Sequence, residues 1–297
     1  MLKEKTGLLM SCIGGFYYVK TDEKVYECKA RGIFRRYGNS PLAGDRVRIL
    51  IPPEGYPSVE EIIERKNFLI RPPVANLDVL VIVCSADSPA PNTLLTDKMT
   101  AIAEYHDITP VIAVTKTDIK NADEFACIYE RAGIKTFLCS SVTNRGIQEF
   151  REFLQGKTAA FTGNSGVGKS SLLNALFPEL GLQTGEISRK LGRGRHTTRT
   201  VELFEANGGY VADTPGFSTL DMKVLLNIPK EELQYVFAEF EPYIGTCRFT
   251  SCSHTCESGC EVIRAAKENI IPESRLESYR TIYARLREVK DWERKKK

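Results

Sequence analysis

The run Gly163-Asn164-Ser165-Gly166-Val167-Gly168-Lys169-Ser170 constrains this chain more than any other stretch, because it fits G-x-x-x-x-G-K-[ST] in the setting that pattern requires. Apolar Ala159-Ala160-Phe161 before it predicts a strand. Ser171-Leu172-Leu173-Asn174-Ala175-Leu176-Phe177 after it predicts a helix. Together they make a phosphate-binding loop: the glycines let successive backbone N–H groups turn toward a phosphate, and the positive end of the helix dipole lies at the same point. Lys169 is then the side chain for the β- and γ-phosphates, and the Ser170 hydroxyl is a ligand for Mg²⁺.

The segments before the loop alternate in type. Apolar strands at 79–83, 111–114 and 136–139 are separated by helical patterns near 93–105, 121–132 and 146–154, which predicts a parallel sheet covered on both faces. Ligands bind such sheets at the carboxyl ends of the strands. Two strand ends here carry polar groups, Thr115-Lys116-Thr117-Asp118 and Ser140-Ser141-Val142. The Asp118 carboxylate can accept hydrogen bonds from guanine N1–H and its exocyclic amine, a donor edge that adenine lacks. Thr-Lys-x-Asp alone also suits a helix cap, but beside a phosphate loop both elements serve one nucleotide. After the loop, Tyr210-Val211-Ala212-Asp213-Thr214-Pro215-Gly216 gives a strand ending in Asp-x-x-Gly. Asp213 suits the Mg²⁺ shell, and the Gly216 amide suits a γ-phosphate. Between them Ser188 to Arg199 is basic and glycine-rich and reads as a switch segment. Thr197 or Thr198 is its Mg²⁺ ligand, with Thr198 preferred.

A chain of 297 residues has room for two or three domains. Residues 1 to about 68 hold short β-like runs, at 15–19, 25–30 and 45–50, that predict a small OB-like barrel. Between the last two lies Arg31-Gly32-Ile33-Phe34-Arg35-Arg36-Tyr37-Gly38, cations interleaved with rings. With Lys29, Arg46 and Arg48, opposed nearby only by Asp45, the run favours an RNA surface over a solvated face with Phe34 in the core. Arg71-Pro72-Pro73 marks a linker. From about 220 the chain is expected to be helical, with helices at 231–240, 261–268 and 273–294. Its basic end, Arg285, Arg287, Lys290 and Arg294 to Lys297, is either a solvated tail or an RNA contact. No run approaches the roughly 18 apolar residues of a membrane span, and Met1 to Lys5 leads into no apolar signal core, so a cytoplasmic protein is expected. In that compartment nine cysteines argue for a metal site over disulfides, and Cys247, Cys252, His254, Cys256 and Cys260 offer five ligands within fourteen residues. The net charge of +3 decides nothing about a polyanion partner.

The guanine-reading Thr115-Lys116-Thr117-Asp118 precedes the phosphate loop, which is the order of a circular permutation. With a barrel in front and a cysteine cluster behind, the whole chain resembles the RsgA family, also called YjeQ or YloQ, of bacterial GTPases of small-ribosomal-subunit biogenesis. Thr115 departs from the asparagine of most GTPases. The resemblance implies three parts: an OB-like RNA-binding barrel at 1–70, a circularly permuted P-loop GTPase domain at 71–222 and a helical zinc-binding domain at 223–297. It implies binding to the small ribosomal subunit and its rRNA late in maturation, with GTP hydrolysed to GDP and phosphate and the activity stimulated by the subunit. The chain is expected to act as a monomer, away from membranes. The family pattern assigns one structural zinc to Cys247, Cys252, His254 and Cys260, with Cys256 spare; a four-thiolate set using Cys256 in place of His254 is the alternative. Phe217 follows Gly216, where many GTPases carry a water-orienting glutamine, and the family suggests His196 for that role. The other reading of His196 is contact with RNA phosphate. Two further functions remain as alternatives, a GTP-gated RNA-binding module with incidental hydrolysis and a metabolic P-loop kinase.

Overall fold

The structure, a computed structural model, describes residues 2–31, 34, 40–70, 72–181, 201–213 and 222–289. The first strands are β1 Lys3–Ile13, β2 Phe16–Lys20, β3 Val25–Ala30, β4 Arg46–Ile51 and β5 Ser58–Glu64. β1 pairs β2 along its second half and β4 along its first. β2 pairs β3, β3 runs parallel to β5, and β5 pairs β4, so the ring closes in the manner of an OB barrel. Alternate residues point inward, and Leu9, Val19, Cys28, Val47, Ile49 and Val59 fill the interior with Phe34 packed against them. The sequence pattern did not expose β1, whose Leu8-Leu9-Met10 run lacks strict alternation because the strand serves two partners and shifts register between Leu9 and Ser11.

Some cations of the expected basic face have carboxylate partners. Glu60 holds Arg31 at 2.7 Å, and Glu4 and Glu61 hold Arg48 at 3.1 and 3.0 Å. Asp45 is buried and bonded to Arg65 Nε at 2.8 Å. Glu4, Glu60 and Glu61 lie at least 13 residues from the arginines they hold, so a local charge count missed them. Lys29 instead sits over the rings of Tyr56 and Phe16, at 4.6 and 5.6 Å. Of the Arg31–Gly38 run, only Arg31 and Phe34 belong to the described residues.

A short hairpin, β6 Phe68–Ile70 with β7 Pro73–Ala75, leads into the parallel sheet of β8 Val79–Ser85, β9 Thr109–Thr115, β10 Thr136–Leu138, β11 Thr158–Thr162, β12 Glu202–Ala206 and β13 Gly209–Asp213. The order is β10-β9-β8-β11-β13-β12, with only β12 antiparallel among these six. A single register pair, Ser11 to Glu202, joins β12 to the barrel. Helices α1 Thr93–Tyr105, α2 Asp123–Arg131, α3 Ile147–Phe153 and α4 Lys169–Leu176 cover it.

β8 is buried throughout and divides the core by its period of two. Val79, Val81 and Val83 join Phe137, Phe150, Phe161 and Leu172 on one face. Leu80, Ile82 and Cys84 face the other way, with Met99 and Ile102 of α1. That second core does not end at α1. It continues into Leu225, Leu233, Phe237, Phe240, Leu276 and Tyr279, carried by α5 Met222–Leu225, two 3₁₀ turns at Leu233–Val236 and Ala238–Tyr243, α6 Glu261–Lys267 and α7 Glu273–Arg287. The expected helix at 231–240 is therefore corrected. Leu233, Val236, Phe237 and Phe240 are buried at helical spacing, but extended Phe237, φ −111° and ψ 87°, divides the segment and Pro242 follows. The last helix is described to Arg287, and residues 290–297 lie outside the described residues.

Arg275 of α7 fastens this shared core. Its guanidinium, 1% exposed, bonds Asp97 of α1 at 2.8 Å and Glu239 at 2.6 Å. Removing one partner of a buried ion cluster leaves the others desolvated and uncompensated. Arg275→Met is expected to lower the unfolding free energy by about 3–5 kcal/mol, read from urea unfolding of the full chain.

Candidate functional site

β11 delivers the loop of residues 163–168, and α4 opens at Lys169. Val167 is buried in the core, while Asn164, Ser165 and Gly166 are exposed. Two glycines are required by the surroundings. A Cβ on Gly163 would lie 2.6 Å from the Val83 carbonyl oxygen. Gly168 caps α4 at φ 87°, and a Cβ there would meet Thr115 Oγ1 at 3.3 Å. The loop is thus pressed onto the ends of β8 and β9.

The end of β9 supplies donors to it. The Thr115 hydroxyl lies against the carbonyl oxygens of Cys84, at 3.1 Å, and Val167, and its one proton can serve either. Lys116, in the left-handed region at φ 60°, donates from Nζ to the carbonyls of Gly166, at 2.8 Å, and Ser88. Asp118 follows in an exposed turn closed by Ile119 N–H on the Lys116 carbonyl at 3.0 Å. Thr117 donates from its hydroxyl and its N–H to the Cys139 carbonyl, at 3.0 and 3.3 Å, which ties this turn to the next strand end. Ser140 is fully buried, and its Oγ accepts from the N–H groups of Val142 and Thr143 at 3.2 and 3.1 Å. It therefore shapes its loop, and half-buried Ser141 is the more accessible of the two serines. Lys169 and Ser170 lie in the first turn of α4, half-buried, with Ser171 exposed beside them. Asp213 ends β13, the neighbour of β11, so its backbone stands at the same edge. His196, Thr198 and Gly216 lie outside the described residues.

A second cluster lies in the C-terminal part. Ligand atoms of Cys247, Cys252, His254 and Cys260 all fall within 4.8 Å of one another, and Cys256 is exposed and apart from them. Cys247 and Cys260 sulfurs are 3.9 Å apart, and His254 Nδ1 lies 3.3 Å from Cys260 and 3.7 Å from Cys247. Zn–S bonds of about 2.3 Å in a tetrahedron put sulfurs roughly 3.8 Å apart, so the set fits that ion. Glu257 organises the loop between the ligands. Partial burial works to raise its pKa, but the Ser253 hydroxyl and the N–H groups of Ser253, Thr255 and Cys256 outweigh that and hold it at about 2.

The Thr115-Lys116-Thr117-Asp118 strand end lies earlier in the chain than the phosphate loop yet donates directly to it, which is a permuted order for these two elements. The chain matches the family described as RsgA GTPase over residues 62–223 and the RsgA N-terminal domain over residues 6–55. It belongs to the RsgA GTPase family. Among known proteins, it is 45% identical over 296 residues to the small ribosomal subunit biogenesis GTPase RsgA of Caldanaerobacter subterraneus subsp. tengcongensis, covering 98% of this chain and 97% of the relative. The protein of that name from Geobacillus thermodenitrificans is 42% identical, covering 96% of this chain and 98% of the relative. The crystal structure of YjeQ from Thermotoga maritima superposes with TM-score 0.79 at 33% identity, covering 97% of this chain and all of that one. YloQ, described as a circularly permuted GTPase, gives 0.78 at 35%, with 97% and 96% covered.

This RsgA-family site also uses groups that sequence reasoning did not select. The Cys84, Ser88 and Val167 carbonyls are backbone, which no residue pattern reveals, and Glu257 reads in sequence as one more surface acid. Thr115→Val keeps the shape of the side chain and removes its donor, leaving a loop carbonyl unsatisfied at about 1–3 kcal/mol. A roughly 5- to 100-fold rise in the Kd for GDP is expected, measured with a fluorescent GDP analogue. Glu257→Ala is expected to lower the unfolding free energy by about 1–2 kcal/mol in urea titrations, because three backbone N–H groups lose a charged acceptor.

Proposed function

We propose that this chain binds the small ribosomal subunit and its rRNA, acts late in maturation of that subunit, and hydrolyses GTP to GDP and phosphate under stimulation by the subunit. The observation that carries the reading is the joining of the Thr115-Lys116-Thr117-Asp118 strand end to the phosphate loop, supported by relatives whose names state small-subunit biogenesis. Asp118 reads guanine, with Ser140 and Ser141 shaping the wall of the base site. Asn164 to Gly168 offer backbone N–H groups to the β-phosphate, and Lys169 meets the β- and γ-phosphates. Ser170, Thr198 and Asp213 would hold Mg²⁺, which neutralises charge on the phosphates when bound, and the Gly216 amide meets the γ-phosphate. His196 orients the attacking water in place of a glutamine, so turnover is slow without the subunit.

The division into a barrel at 1–70, a GTPase part at 71–222 and a zinc-bearing part at 223–297 goes with this reading. Cys247, Cys252, His254 and Cys260 would hold one structural Zn²⁺, with no position left open for catalysis. No described helix is long and apolar enough to cross a membrane. A cytoplasmic location and a monomeric state are part of the same proposal.

The test is steady-state GTP hydrolysis by the purified chain alone, with small subunits and with large subunits. Strong stimulation by small subunits only is expected; no stimulation by either overturns the ribosomal reading. Base recognition has its own test. Asp118→Asn replaces an acceptor by a donor, so GDP affinity is expected to fall roughly 100-fold or more in titrations. Xanthosine diphosphate, which carries a carbonyl where guanine has its amine, is expected to bind the variant better than GDP does.

A further inference from the structure

His254 reaches the metal cluster from a left-handed backbone, φ 58°, and its ring is 2% exposed between Phe240 and Tyr279, with ring centroids at 6.1 and 6.4 Å. Which nitrogen faces the thiols depends on a residue outside the cluster. Gln234 donates from Nε2 to the Glu231 carbonyl at 3.1 Å, a partner that can only accept. That bond fixes the orientation of the amide and turns its Oε1 to His254 Nε2, at 3.0 Å. Oε1 can only accept as well, so His254 Nε2 carries the proton. Nδ1 is left with its lone pair, and it is the atom that lies 3.3 Å from Cys260 Sγ and 3.7 Å from Cys247 Sγ.

We infer that Gln234 positions His254 for metal binding, by accepting the Nε2 proton and so presenting Nδ1 to the ion. The inference rests on the zinc reading proposed above. A hydrogen-bond acceptor behind a ligating imidazole sets its tautomer, holds its plane and raises its basicity. The placement of Gln234 adds a consequence. It lies in the 3₁₀ turn Leu233–Val236, whose Leu233 and Val236 are buried in the core shared with α1. One hydrogen bond thereby links the metal cluster to the segment that seats it on the GTPase part.

The experiment uses the full chain purified with zinc, as wild type, Gln234→Leu, which keeps the bulk without the acceptor, and Gln234→Glu, which keeps an acceptor oxygen. Zinc affinity is read by competition with a chromophoric chelator. Gln234→Leu is expected to bind zinc 10- to 100-fold more weakly, and Gln234→Glu to stay within a few-fold of wild type. Nitrogen–proton correlation spectra of the histidine rings in the zinc-loaded wild type are expected to show His254 protonated at Nε2. Wild-type affinity in Gln234→Leu, equal losses in both variants, or zinc on Nε2 would each overturn the inference with the zinc reading intact. A wild type that binds no zinc overturns both.

Discussion

A loop that offers its N–H groups to a phosphate must turn carbonyls back into the protein, and buried carbonyls need donors. In this chain Thr115 donates to the carbonyl of buried Val167 and Lys116 to that of exposed Gly166, three and two residues before Asp118, the carboxylate proposed to read the base. The Thr115 to Asp118 turn and the phosphate loop are thus one hydrogen-bonded unit. The permutation leaves that unit intact because the contacts run between the ends of β9 and β11, the two strands that flank β8 in the sheet, and the order in which the strands are visited does not enter. Threonine in place of asparagine still satisfies the loop, since a single hydroxyl proton set between Cys84 and Val167 carbonyls can serve either.

The same sheet explains why the C-terminal part that carries the cysteine–histidine cluster is not a detached module. Leu80, Ile82 and Cys84 of β8 begin a core that passes through α1 and ends among Phe240, Leu276 and Tyr279. Helix α1 has one end at the nucleotide site and its middle in the interface. Asn92 caps it by accepting from Leu95 N–H at 2.9 Å and lines a small cavity with Gly163 and Asn164, while Asp97, five residues on, pairs with Arg275. The phosphate loop therefore meets the N-terminal end of this helix, and the C-terminal part meets its middle, little more than one turn away.

Much of this was legible in the sequence for definite reasons. The strands β8 and β9 and the helices between them carry strong periodicity, and the phosphate loop, the Thr115 to Asp118 turn and the Cys247 to Cys260 run are local patterns of side chains with known chemistry. What was not legible depended on partners far away in sequence. β1 was hidden because one strand pairs with two others. The pairing of Arg31 with Glu60 and of Arg48 with Glu4 and Glu61 weakened the basic surface that a local charge count suggested. Leu233 to Phe240 carried the helical period, but the packing of its aromatic rings was met by two tighter turns. Arg275 in the sequence looks like any arginine of a surface helix; its burial follows only from the carboxylates that meet it.

The central claim is that Thr115 and Lys116 hold the phosphate loop in shape before any nucleotide arrives. The most direct measurement is amide hydrogen exchange of the nucleotide-free chain, wild type against Thr115→Val. The account predicts faster exchange across residues 163–170 in the variant, with the amides of β8 and β9 unchanged. Equal exchange of the loop in the two proteins would contradict it.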